Sequence, residues 1–263
     1  MSLTETAYAK LNLALHVRGR RADGYHDIET VFAFCEDGDR LSVESADELW
    51  LELTGPFAAD VPAGSDNLVL KAARALPQGA GARLRLVKDL PAASGIGGGS
   101  ADAAAALRLL TRLWGFAPGL AAKVAPTLGA DVPASLLSQS CRGTGTGDRL
   151  EPLDLGLTGT PVLLVNPNVP LSTGAVFEAW DGIDRGTLED WRDGRNDLEP
   201  AATALVPGIA DVLEWLRRQP GADFARMSGS GATCFALFAE EPARDQAAAA
   251  VPGQWWRLAT TLR

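Results

Sequence analysis

The segment Pro91-Ala92-Ala93-Ser94-Gly95-Ile96-Gly97-Gly98-Gly99-Ser100-Ala101 runs straight into an alanine-rich stretch. Glycines lack a Cβ and let backbone N–H groups come close to an oxyanion, and a helix N-terminus aims free donors and a positive dipole at it. This residue pattern is suited to binding phosphate. Ser100 stands where a helix N-cap is expected, and its hydroxyl would serve either the helix or a phosphate-bound magnesium. Two common phosphate loops do not fit. GxxxxGK[ST] needs a lysine after the glycines, and Ser100 takes the place of the last glycine of GxGxxG. A flexible glycine turn with no ligand competes for the same residues.

A second glycine loop, Arg226-Met227-Ser228-Gly229-Ser230-Gly231-Ala232-Thr233, precedes an apolar run with Cys234, Phe235 and Phe238. Alone it reads as a tight turn into a buried strand. A third constellation pairs Lys10 and Asn12 with Gly129-Ala130-Asp131-Val132-Pro133 far downstream. Phosphoryl transfer to a hydroxyl needs a carboxylate that accepts or orients the proton, and a cation that balances the developing charge. Lys10 and Asp131 have the right types, although a solvated surface pair is the plainer reading of two charges so distant in sequence.

These groups need elements to hold them. Ala7, Ala9, Leu11, Leu13, Leu15 and Val17 alternate with Tyr8, Lys10, Asn12 and His16, predicting a half-buried strand with a polar row. A turn at Ala22-Asp23-Gly24 leads to Tyr25-His26, and Thr30 to Phe34, Leu41 to Val43 and Leu49 to Leu53 read as short strands. Ser65-Asp66-Asn67 are capping types before a short amphipathic helix from Leu68 to Arg74. Residues 83–87 alternate as a strand. A helix is predicted from Ala101 to Trp114, with Leu107, Leu110 and Trp114 on one stripe and Gly115 as its C-terminal cap. Leu155-Gly156-Leu157-Thr158-Gly159 is the expected boundary, giving domains 1–158 and 159–263. Beyond it come a strand at 162–165, helical segments within 172–180 and 196–219, and a strand at 233–238.

The chain has 263 residues, 46% of them apolar, and a formal net charge of −9, so nothing in its overall field would hold it on nucleic acid or an anionic membrane. Any phosphate site is local. Lysine is scarce: Lys10, Lys71, Lys88 and Lys123 are the four present. Cys35, Cys141 and Cys234 are too scattered for a redox pair or zinc framework and read as buried thiols. With only His16 and His26, a multi-histidine metal site is not available. The first residues lack a basic segment followed by an apolar run, and no stretch nears the roughly 20 apolar residues that span a bilayer, so the chain is expected to be soluble and cytoplasmic.

The combination of Ala9-Lys10-Leu11-Asn12-Leu13, Arg21-Ala22-Asp23-Gly24-Tyr25-His26, the Pro91-to-Ala104 loop, Gly129-Ala130-Asp131-Val132-Pro133 and Ser228-Gly229-Ser230-Gly231-Ala232 resembles the 4-diphosphocytidyl-2-C-methyl-D-erythritol kinase family. That family is a branch of the galactokinase, homoserine kinase, mevalonate kinase and phosphomevalonate kinase (GHMP) superfamily. The resemblance covers most of the chain in order and spacing. It implies an α+β architecture, with an N-terminal ribosomal-protein S5 domain 2-like half, a C-terminal ferredoxin-like half and the active site between them. It also implies phosphorylation by ATP, with Mg2+, of the 2-hydroxyl of a cytidine-diphosphate-linked polyol in the non-mevalonate isoprenoid pathway. Small-molecule partners only are expected, in a monomer or homodimer.

Residue roles carry over on the matched positions. Lys10 and Asp131 would be the catalytic pair, Asn12 a contact to the erythritol part, and Tyr25 and His26 the cytidine end. Thr173 and Phe177 would lie near the polyol and the cytosine, a core phenylalanine being the alternative for Phe177. Pro91, Gly95, Gly97, Gly98, Gly99, Ser100 and Ala101 would take the triphosphate. Asp66 and Asn67 would approach adenine while also capping a helix, and Lys88 would lie near the nucleotide, a solvated charge being its alternative. Ser228, Gly229, Ser230 and Gly231 would form a supporting loop. Ala92-Ala93-Ser94 stand where relatives often carry more glycine, which implies a stiffer rim, and Leu258 to Arg263 are poorly matched. Trp255-Trp256 read as packing. The alternatives are another kinase of the superfamily, with a mevalonate-like or homoserine-like acceptor, or a nucleotide-binding regulator without catalysis.

Overall fold

The opening alternation forms a strand longer than its apolar run, β1 (Leu3–Arg20), and its polar row is not solvated: every residue from Ala9 to Val17 is buried, Lys10, Asn12 and His16 included. Both faces are covered, so alternation here sorts two interiors rather than core from water. The fold is that of a computed structural model describing residues 2–77, 81–117 and 119–263. The two short strands expected near Phe32 and Val43 are one, β2 (His26–Ser45). The intervening Gly38 looks like a turn, but a Cβ there would fall 2.0 Å from the Ala7 carbonyl oxygen, so this glycine lets β1 pass close by.

Two compact units share these strands. The first comprises the chain up to Lys10, Asp37–Ala92 and Gly97–Ser138. In it β3 (Trp50–Thr54) runs parallel to β4 (Ala82–Val87), which pairs antiparallel with the end of β2, Leu41 facing Leu86 and Val43 facing Leu84. Helix α1 (Leu68–Ala75), capped by Asn67 as predicted, packs on α2 (Gly98–Leu113), and α2 on α4 (Val132–Leu137), with α3 (Gly119–Val124) beside them. Ala103, Ala104, Ala105 and Ala106 of α2 are all buried, small side chains that permit close helix packing around Leu84, Leu107 and Leu110. Gly115, at φ 71°, ends the helix as expected.

The second unit comprises Leu11–Glu36, Ala93–Ile96 and Gln139–Arg263. The start of β2 pairs with β5 (Cys141–Gly145), itself paired with β6 (Arg149–Pro152). Four further strands, β7 (Pro161–Asn166), β8 (Ala222–Met227), β9 (Cys234–Phe238) and β10 (Trp256–Thr261), form an antiparallel sheet in the order β10-β7-β9-β8. Between β7 and β8 lie α5 (Thr173–Glu178), α6 (Glu199–Leu205) and α7 (Gly208–Arg217), and α8 (Glu241–Ala250) joins β9 to β10. The strand–helix–strand–strand–helix–strand succession in that order is the ferredoxin-like arrangement. The helical stretch expected at 196–219 breaks at Val206-Pro207 into α6 and α7, since a proline cannot donate to a continuing helix. The poorly matched C-terminus is an ordinary strand, Leu258 opposite Leu164.

Candidate active site

In the first unit, the glycine segment reaches α2 earlier than predicted. The helix begins at Gly98, with Gly97 in the left-handed region at φ 68° as the residue before it, so Ser100 belongs to the first turn and is not the N-cap. The first intrahelical bond is Ala101 N–H to the Gly97 carbonyl, 2.8 Å. The amides of Gly98, Gly99 and Ser100 therefore form the unpaired donor set of a helix start.

Lys10 and Asp131 meet at this helix start. Lys10 Nζ lies 3.1 Å from Asp131 Oδ2, the lysine side chain 4% exposed and the aspartate 36%. A Cβ on Gly97 would sit 3.1 Å from Lys10 Cε and 3.9 Å from Asp131 Oδ2, so the glycine walls the pair directly. Asp131 occupies the position before α4 but makes no capping bond there. Its carboxylate faces the lysine instead. A solvated surface pair is overturned: one partner is buried, and both adjoin the glycine loop.

Lys88 is not solvated either. Its side chain is 1% exposed, and its ammonium donates to Asp102 Oδ2 at 2.8 Å and to Asp39, which is fully buried. Asp39 Oδ1 also accepts from Asp89 N–H and Leu90 N–H at 2.7 and 2.9 Å. Burial opposes the ammonium, but Asp102 and Asp39 hold its pKa above the ordinary lysine value; burial pushes the Asp102 carboxyl upward against the pull of Lys88. Sequence reasoning passed over Asp39 and Asp102, for lone aspartates in a strand and a helix carry no motif. Asn67 accepts from Val69 N–H at 2.9 Å and donates to the Pro62 carbonyl at 2.8 Å. Leu68, the first residue of α1, lies against Gly99, its Cδ1 3.2 Å from where a Cβ would be. Asp66 is exposed and pairs with Lys71 at 3.3 Å.

In the second unit, the late glycine loop is a brace. Ser228 Oγ accepts from Asn12 N–H at 3.1 Å and donates to the Gly95 carbonyl at 3.0 Å, and Thr233 N–H donates to the Ser94 carbonyl at 3.0 Å. A Cβ on Gly95 would stand 2.4 Å from the Ser228 carbonyl oxygen and 2.7 Å from that of Gly231. Ala93 holds φ 47°, a left-handed conformation that suits glycine. Asn12 is buried, and its amide donates to Thr30 Oγ1 at 2.8 Å.

Elsewhere in this unit the His26 and Phe177 rings lie 4.9 Å apart, and Trp180, which the sequence did not single out, meets His26 edge-on at 5.7 Å. Burial, then the nearby Arg20, lowers the His26 pKa and keeps the imidazole neutral at pH 7. Tyr25 is 61% exposed. Thr173 Oγ1 is 3.0 Å from Ser230 Oγ.

This architecture and this pairing of a glycine-led helix with a Lys–Asp couple define a class of small-molecule kinase. Residues 67–139 match the family model described as GHMP kinases N terminal domain, and residues 178–257 that described as GHMP kinases C terminal. A curated protein of Novosphingobium aromaticivorans named 4-diphosphocytidyl-2-C-methyl-D-erythritol kinase is 54% identical, the match covering 100% of this chain and 94% of the relative. A protein of the same name from Rhizorhabdus wittichii is 55% identical over 100% of this chain and 96% of its own. A crystal structure of 4-(cytidine 5'-diphospho)-2C-methyl-D-erythritol kinase matches with a TM-score of 0.86 at 35% identity, covering 99% of each chain. The Methanococcus jannaschii mevalonate kinase, 10% identical with a TM-score of 0.70, shares the fold alone. The chain belongs to the 4-diphosphocytidyl-2-C-methyl-D-erythritol kinase family.

Proposed function

We propose that this enzyme transfers the γ-phosphoryl group of ATP to the 2-hydroxyl of 4-diphosphocytidyl-2-C-methyl-D-erythritol, a step of the non-mevalonate route to isoprenoid precursors. The observation that carries the reading is the Lys10–Asp131 pair at 3.1 Å against Gly97, where the phosphate-binding helix starts. Asp131 accepts or orients the proton of the attacking hydroxyl. Lys10 balances the charge of that carboxylate and steadies the oxygen as it becomes nucleophilic. The first-turn amides of Gly98, Gly99 and Ser100 hold the phosphates, Gly95, Pro91 and Ala101 shaping the loop around them. Asp66, Asn67 and Lys88 serve the nucleotide end, Lys88 from a buried position.

Tyr25, His26 and Phe177 take the cytosine, Asn12 and Thr173 the polyol. The buried His26 ring, tilted against Phe177, supports the first assignment. The bond from Asn12 to Thr30 fixes the Asn12 side chain, which supports the second. Ser228, Gly229, Ser230 and Gly231 brace the loop rim.

Magnesium accompanies the triphosphate. No cluster of three His, Cys, Asp or Glu side chains able to hold a metal occurs among the described residues. The donor set thus fits an ion carried on phosphate oxygens and water, with the half-buried Ser100 hydroxyl as its protein contact. Bound there, the ion neutralises charge on the transferred group. The functional domains of this reading are 1–158 and 159–263; family matches at 67–139 and 178–257 support a division between them. No helix among the described residues is long and apolar enough to cross a membrane, which accords with a cytoplasmic enzyme.

The test is direct. Purified protein with ATP, magnesium and the cytidine-linked substrate should yield ADP and a product carrying a new phosphomonoester on the 2-hydroxyl, read by phosphorus NMR. Mevalonate and homoserine should give neither. Preferential turnover of either acceptor would displace the assignment.

A further inference from the structure

Asp39 and Asp102 have no part in the chemistry above, yet with Lys88, placed there at the nucleotide end, they are among the most buried charged groups of the described residues. The cluster stands at both ends of the glycine segment. Before the segment, Asp39 Oδ1 takes the amides of Asp89 and Leu90, the two residues that lead to Pro91. After it, Asp102, in the second turn of α2, takes the Lys88 ammonium at 2.8 Å. The Lys88 backbone is fixed as well. Its N–H donates to the Thr54 carbonyl at 2.8 Å, and its carbonyl accepts from Phe57 N–H at 3.2 Å. A Cβ on Gly98 would lie 3.5 Å from Lys88 Nζ and 3.6 Å from Asp39 Oδ2, so the cluster lies directly beneath the first residue of the helix.

Two carboxylates and one ammonium, all removed from water, are an expensive way to make a core, since apolar residues of similar volume often do as well or better. What such a cluster supplies is fixed geometry. We infer that Asp39, Lys88 and Asp102 are positioning residues that clamp the two ends of the glycine segment at a set spacing, so that the amides of Gly98, Gly99 and Ser100 are aimed before ATP arrives. The inference rests on the reading of that segment as the triphosphate site. Preorganised donors gain affinity because little ordering remains to be done on binding. Loosening the clamp therefore weakens the nucleotide and leaves the acceptor alone.

Two substitutions separate the clamp from its charge. Asp102→Ala removes both the charge and the tether, whereas Asp102→Asn removes the charge but keeps an acceptor for the Lys88 ammonium. Calorimetric titration with ATP should show Kd raised about tenfold in Asp102→Ala and about threefold or less in Asp102→Asn, with cytidine diphosphate binding unchanged in both. An equal change in both variants, or tighter ATP in either, would mean that the cluster acts through its field and would overturn the clamp. A lowered melting temperature with ATP affinity intact would reduce the cluster to a core element, again overturning it. Should Asp102→Ala not fold, Asp102→Asn alone decides: an ATP Kd within about threefold of wild type with unaltered cytidine diphosphate binding sustains the clamp, and a larger rise or a lowered Kd ends it. Wild-type protein that binds no ATP at all would fail the kinase reading itself and the clamp with it.

Discussion

Asp131 and Lys10 differ in exposure, in the sense that the roles proposed for them require. The carboxylate, 36% exposed, can be reached by a hydroxyl from solution, while the ammonium, 4% exposed, is shielded from water that would weaken its field. Asp131→Asn keeps the shape and discards the charge, so kcat should fall by about 10²- to 10⁴-fold, the usual worth of a positioned acid–base group, with ATP binding retained. Stopped assays beside equilibrium binding check both halves. Asn67 allows a sharper division of roles. Asn67→Asp keeps the acceptor that caps α1 but loses the buried amide bond to the Pro62 carbonyl and sets an oxygen against it, so stability should fall, and the KM for ATP should rise as well if the amide serves the nucleotide. Asn67→Ala should in addition lower stability by about 1 kcal/mol, the ordinary worth of an N-cap. An unchanged KM for ATP in both variants would confine Asn67 to a structural role.

Among the elements, the turn into α2 is the most constrained. Gly97→Ala places a methyl 3.1 Å from Lys10 Cε at φ 68°, where the left-handed conformation alone costs about 1–2 kcal/mol for a residue with a Cβ. Turnover should drop more than stability if Lys10 has the catalytic role proposed for it; urea unfolding and kcat compared on one preparation show which dominates. The segment before α6 is pinned differently. His16 Nε2 accepts from Arg195 N–H at 3.2 Å, which leaves the proton on Nδ1 for the Gly186 carbonyl at 3.1 Å. Burial lowers the His16 pKa, so the unfolded chain binds the proton more readily. Stability from this source is complete above the unfolded value of about 6.5 and is lost as pH falls through the lower folded value. Urea midpoints should decline from pH 7 to pH 5, and less steeply in His16→Gln.

For the whole molecule, a ligand that binds only the folded state stabilises by about 2.7 kcal/mol at a hundredfold excess over Kd. At about 2–4 °C per kcal/mol for a chain of this size, saturating cytidine diphosphate should raise Tm by about 5–10 °C and uridine diphosphate by clearly less. Much of the site was legible beforehand because its parts are local in sequence: the glycine segment, the Lys-x-Asn strand and the Gly-Ala-Asp segment each carry their chemistry within a few residues. What escaped depends on partners far along the chain. Gly143 and Gly145 are poor strand formers and leave residues 141–145 without a strand signal, yet Gly143 is there because Phe32 of the neighbouring strand fills its side-chain space, 2.7 Å from a Cβ. Lys88 looked solvated because neither Asp39 nor Asp102 adjoins it in sequence.

The burial of Lys10 and Lys88 also sorts the chain's amines. Of its four lysines, these two are enclosed, while Lys71 and Lys123 stand in solvent. Among the lysines, acylating reagents, or a resin activated for amine coupling, should attach at Lys71 and Lys123 in the folded enzyme and spare the other two, so that the protein can be tethered or tagged through native side chains with the Lys10 ammonium intact.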